Sequence, residues 1–262
     1  MLNRPPLLWV TVVGVLAVGL SACGSGTKAA APSLSSTSSP SSSVTPTSAV
    51  TTTSAATPTT DAPATPLRLR TVVELKSALL KLADFPSGFA LEPATASGDD
   101  KASASSKNPK CAPLVKLTNA DKAPGSKASA KVSFSGGQSG PFVEESIDAL
   151  ASADAVKTLQ ASFKSAVTAC SQLSITLPGQ GKSTMKVAEV SAPKFGEHTF
   201  AVRMTAAGGP LDGLEITQVT AGVKDTVVSM VFIMADPEDV DGGTEAAVSK
   251  ATEILKGAKS GA

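Results

Sequence analysis

The chain of 262 residues carries 23 Lys and Arg against 22 Asp and Glu, a formal net charge of +1. That balance lacks the basic footprint nucleic acid demands. Eight Phe, one Trp and no Tyr supply few stacking platforms for sugars or bases.

The N-terminus divides into the parts of an export signal. Arg4 gives the positive charge, residues 7–20 form a charge-free apolar run, and Leu20-Ser21-Ala22-Cys23-Gly24 follows. About fourteen apolar residues fall short of the roughly 20 a membrane-spanning helix needs. An apolar stretch of that length before a small-residue site predicts a cleaved signal peptide over residues 1–22. Leu-Ser-Ala-Cys resembles the bacterial lipobox. The resemblance implies a diacylglyceryl group on the Cys23 thiol, with Cys23 as the new N-terminus. Acyl chains bury their CH₂ groups at roughly 0.8 kcal/mol each, and two or more make a stable anchor. The expected location is therefore the outer face of the cell membrane, held by lipid.

Residues 23–66 carry that cysteine and are then almost all Ser, Thr, Ala and Pro, with Lys28 and Asp61 the only charges. Such a segment buries too little apolar surface to offset its ordering entropy, which predicts a disordered tether. As a coil it spans roughly 35 Å, and prolines lengthen it. Ser/Thr tracts with Pro are also candidate sites of O-glycosylation.

Residues 67–262 are enough for one domain with a core. Without Arg4, Lys28 and Asp61, this region holds equal numbers of basic and acidic residues. Residues 71–82 put Leu75, Leu79 and Leu82 on one helical face before a Phe85-Pro86-Ser87-Gly88 stop. Residues 94–110 are small and polar and predict a mobile loop. Ala128, Ala130, Val132 and Phe134 alternate with polar residues, and Gly136–Gly140 turns this strand into a second over 142–147. Ser152 caps a helix whose stripe is Val156, Leu159, Phe163, Ala166, Val167 and Cys170. The period then becomes two: strands are predicted over 172–177, 185–190, 199–206, 214–220 and 226–235. Residues 210–213 and 222–225 read as hairpin turns. A last helix is predicted from Thr244, packing Val248, Ala251 and Leu255. Consecutive strands on short turns pair antiparallel, so the fold class is α+β.

Cys111 and Cys170 remain after the lipidated cysteine. In an exported domain an even pair favours a disulfide. Two buried thiols or a metal site are the alternatives, and no nearby His or third Cys completes a ligand set.

Leu79-Leu80-Lys81-Leu82-Ala83-Asp84-Phe85-Pro86-Ser87-Gly88-Phe89 is followed by Cys111-Ala112-Pro113-Leu114 and by a helix closing on Ala169-Cys170. Then come Gly196-Glu197-His198-Thr199-Phe200-Ala201-Val202-Arg203 and Val223-Lys224-Asp225-Thr226-Val227-Val228-Ser229. This order resembles actinobacterial cell-surface lipoproteins that are similar to the extracellular sensor domain of mycobacterial Ser/Thr kinases. The resemblance covers most of residues 68–258 and its motifs are structural. It implies a twisted antiparallel sheet with helices packed on it and a groove for a ligand. The kinase sensors carry two disulfides where this chain can make one. No kinase domain is read in the sequence, so signalling across the membrane is expected to need a partner. The resemblance supplies no catalytic residues.

Several motifs fail on inspection. Gly181-Lys182-Ser183-Thr184 looks like the end of a phosphate loop, but Thr176 stands where the first Gly belongs and a strand follows instead of a helix. Asp239-Val240-Asp241-Gly242 hints at a calcium loop, but Pro237 and Val248 occupy the first and last ligand positions. His198, the sole histidine, shares a predicted strand face with Phe200, Val202 and Met204, and nothing ties it to a nucleophile. Ser139 lies in a hairpin rather than an elbow. Glu144 and Glu145 are adjacent, hence on opposite strand faces, and cannot flank one glycosidic bond.

The expectation is a non-enzymatic envelope lipoprotein with no cofactor and no metal. It would bind a small molecule or lipid, or an envelope protein partner, but not nucleic acid. The alternative is a lipid or glycolipid carrier with an apolar cavity. Phe134, Phe142, Phe200, Met204 and Phe232 are candidate lining residues, with an ordinary core as the competing role.

Overall fold

A computed structural model describes residues 69–93 and 102–257. The expected signal peptide, Cys23 and the expected tether lie outside the described residues. Nine strands form one open, wholly antiparallel sheet: β1 Ala90–Leu91, β2 Ser103–Ser105, β3 Ala128–Ser135, β4 Phe142–Ala149, β5 Gln172–Leu177, β6 Gly181–Val190, β7 Glu197–Ala207, β8 Glu215–Val223 and β9 Thr226–Ile233. Their order is β1-β3-β4-β9-β8-β7-β6-β5-β2. The helices are α1 Val72–Ala78, α2 Ala112–Thr118, α3 Ala153–Ala169 and α4 Pro237–Gly257. This is the expected α+β class.

The helices divide diagonally. On one face α1 and α4 cover β3, β4, β9 and β8, burying Leu75, Phe134, Ile147, Val219, Met230, Phe232, Ala247, Ala251 and Leu255. On the other, α2 and α3 cover β5, β6 and β7, burying Leu114, Phe163, Val167, Leu173, Met185, Phe200, Val202 and Met204. Each such apolar side chain contributes about 1.5–3 kcal/mol relative to exposure. Cross-strand pairs fix the register: Ala201 opposes Val219, which opposes Met230, so one face stays apolar across three strands.

Local chemistry explains the element ends. Thr71 caps α1 with its hydroxyl on the Glu74 N–H, and Glu74 returns a carboxylate to the Thr71 N–H, a capping box. Ser152 caps α3 in the same way on the Ala155 N–H. The β8–β9 hairpin turns on Lys224 and Asp225, with Lys224 at φ 55°. Arg70 clamps that turn from the N-terminal side, its Nη2 3.2 Å from Asp225 Oδ1.

Four expectations need correction. The first helix ends at Ala78, and Leu82 lies in a 3-10 turn, Leu82–Asp84, 46% exposed rather than on the buried face. The predicted 94–110 loop contains a short edge strand, β2, and the 3-10 turn Pro109–Cys111; its residues 94–101 lie outside the described residues. The strand predicted over 185–190 starts four residues earlier, so Gly181–Thr184 belongs to β6. The last helix begins at Pro237, seven residues before Thr244 and through Gly242 and Gly243. A Cβ on Gly243 would lie 2.8 Å from the Phe232 ring, so close packing outweighs the roughly 1 kcal/mol glycine penalty in a helix.

Candidate functional site

Because the helices sit diagonally, two half-faces of the sheet carry no helix among the described residues. Beyond α4, β5, β6 and β7 turn outward Gln172, Ser174, Lys182, Thr184, Lys186, Arg203 and Thr205, an ordinary solvated surface. The half-face beyond α3, made by β8, β9, β4 and β3, differs. Ile216 opposes Ile233, which opposes Phe142, and Val231 stands beside them on β9. All four are only half-buried.

Around this apolar row lie hydrogen-bonding groups held by the same register. Gln218, Val231, Glu144 and Ser133 form the next row across the strands. Thr220, Ser229, Ser146 and Lys131 form the row after that. Lys131 Nζ lies 3.1 Å from Glu144 Oε2. At the far end Thr220 Oγ1 and Asp148 Oδ1 are buried and have no hydrogen-bond partner among the described residues. The half-face is therefore a small apolar platform bordered by polar groups. Such a pairing of apolar lining with a few polar fixtures is what small-ligand sites display.

The five candidate lining residues separate. Phe134 and Phe232 are in the core beneath α1 and α4, at 0% and 1% exposure. Phe200 lies beneath α3, with its ring T-shaped to Phe163 at 5.5 Å. Met204 is buried at the inner end of the apolar row, opposite Ile216, and Phe142 closes the outer end. The structure thus leaves Phe142 alone half-exposed on the row; Met204 adjoins the row through Ile216 but belongs, like the other three, to the cores. Sequence reasoning missed Ile216, Val231 and Ile233, because alternation alone does not say which face lacks a helix.

Cys111 and Cys170 form the expected disulfide, Cα atoms 4.7 Å apart, joining the start of α2 to the end of α3. His198 departs from expectation: it sits at a β-bulge between Glu197 and Phe200, exposed and at φ 51°, not on the face of Phe200. A shallow cleft of about 510 Å³ lies between α4 and the β6–β7 connection, lined by Lys194, Phe195, Gly196, Val248, Thr252 and Lys256 among others. Its cations are exposed and Glu253 faces the same space, so it lacks the ordered polar field of the half-face. Among the described residues no group of three or more His, Cys, Asp or Glu is placed to hold a metal, and no helix is long and apolar enough to cross a membrane.

The described residues thus form an open antiparallel sheet with helices on both faces and one disulfide. Among solved structures the extracellular domain of PknH from Mycobacterium tuberculosis is similar, at TM-score 0.54 and 16% identity, over 72% of this chain and 98% of that one. At that identity the likeness is one of fold. No family model and no curated protein matches the chain.

Proposed function

We propose that the protein is a non-enzymatic envelope lipoprotein, acylated on Cys23 and displayed on the outer face of the cell membrane by the residues 23–66 tether. Its domain binds an amphipathic ligand on the bare half-face beyond α3. The observation that carries this reading is the row Ile216–Ile233–Phe142, with Val231, left half-buried inside a field of hydrogen-bonding side chains. An apolar part of the ligand covers the row; its polar groups meet Gln218, Glu144, Ser146 and Ser229. The lipobox, the paired domain cysteines and the sensor-like fold support an extracytoplasmic setting. A carrier that encloses lipid needs a lined hollow, and Phe134, Phe232, Phe200 and Met204 are instead spent on packing helices.

Native mass spectrometry of protein purified from its own envelope tests the binding role. A retained small molecule, lost in Phe142→Asp and kept in Thr205→Asp on the solvated half-face, is the expected result. Equal retention by both variants would move the site elsewhere. Cys23→Ala tests the anchor separately: the protein should leave the membrane fraction or accumulate as precursor.

A further inference from the structure

Glu145 occupies an unusual place. It lies on β4 between Val143 and Ile147, fully buried, inside the core that α1 and α4 close. Its cross-strand neighbours on β3 and β9 are Val132 and Met230. Oε2 accepts a hydrogen bond from the Leu80 N–H at 2.6 Å, and Oε1 has no partner. Leu80 belongs to the segment that leads from α1 into the 3-10 turn, so this side chain grips the sheet's N-terminal strap directly.

The charges facing Glu145 come from two elements. Lys250 of α4 and Asp84 of the 3-10 turn pair with each other beside it. From α1 only Leu75 and Ala78 are buried, while Glu74 is engaged with Thr71 and Lys76 is exposed. Lys250 is therefore already committed to Asp84, whose carboxyl is opposed by burial but held below the usual carboxylate range by Lys250 and the Lys81 N–H. An ionised Glu145 would keep one N–H donor and lack a cation of its own. An orphaned buried charge is costly, and the inexpensive remedy is to admit water by lifting the strap.

We propose that Glu145 is a proton-operated latch: protonated, it lets residues 72–85 seat against the sheet, and ionised, it loosens that segment. Burial pushes its carboxyl up to about 7, against the pull of the Leu80 N–H, so the latch works across acidic to neutral conditions. The closed state holds the proton more tightly than an open state titrating near 4.5. Opening therefore becomes easier as pH rises towards 7 and changes little beyond.

Hydrogen exchange of the intact domain at pH 5.5 and pH 8, corrected for intrinsic rates, tests this. Protection of residues 72–85 should fall about 30-fold at the higher pH, the factor expected for a carboxyl titrating near 7 closed and 4.5 open. The β5–β6 hairpin should show no comparable change, and Glu145→Gln should abolish the change in residues 72–85. Equal protection at both pH values, or a pH effect that survives in Glu145→Gln, would overturn the latch. If the variant does not fold, carboxyl NMR of the wild-type protein decides: a Glu145 midpoint below 5 rejects the proposal and one between 6 and 8 upholds it.

Discussion

On one face of the sheet α2 and α3 are stapled by Cys111–Cys170 over a core of Phe, Leu, Val and Met side chains. On the other, α1 and α4 meet without a covalent tie, and their core contains the carboxyl of Glu145. The contrast shows two ways to hold a helical layer on the same sheet. One side is fixed by restricting the unfolded chain. The other depends on a proton and on side-chain contacts such as Arg70 with Asp225 and Lys250 with Asp84.

The largest expected effect breaks the covalent side. Replacing both Cys111 and Cys170 by Ala opens a loop with a sequence separation of 59 and should cost about 4 kcal/mol in chemical denaturation. The next acts only on the other side, and only with pH. Wild-type stability should fall by roughly 2 kcal/mol from pH 5.5 to pH 8, because the folded Glu145 binds its proton more tightly than the unfolded chain. Glu145→Gln should flatten that slope, being near neutral at pH 5.5 and stabilising at pH 8. A slope of the same size in both proteins would dissolve the distinction between the two sides. Arg70→Ala, which unclamps α1 from the β8–β9 turn, should cost about 1 kcal/mol, read as a small shift of the denaturation midpoint. Smallest is Lys164→Ala on the stapled side. Its ammonium lies 3.0 Å from Glu189 and 5.7 Å from the Phe200 ring centroid, but it is 57% exposed, and the loss should stay below about 0.5 kcal/mol.

Local signals made much of the fold legible. The Ser152 cap and its apolar stripe located α3, and period-two alternation located β3 to β9, with Gln172–Leu177 matching in full. What failed depended on partners far away in sequence. Gly242 and Gly243 argued against a helix, and only the Phe232 ring packed against Gly243 gives one of them a reason to be there. The edge strands β1 and β2 are two and three residues long and carry no alternation to detect. The disulfide was readable from cysteine count, whereas Glu145 looked like one more charged residue beside Glu144. Only the helix packed above its face makes it buried. The candidate site was half visible for the same reason: large apolar strand residues pointed to Phe142 and Met204, but a bare half-face is defined by where helices do not sit.

α1 packs against α4, the earliest described helix against the latest, and the 3-10 turn that follows α1 adds the Asp84–Lys250 contact across 166 positions. During synthesis Leu75 and Leu79 emerge long before the residues that cover them. Their side of the molecule cannot close until α4 has been made, whereas the cysteine-linked side draws on nearer neighbours and can settle first. A truncation that removes α4 would therefore leave a stapled half-domain with its opening segment unsheltered, a ready target for proteases.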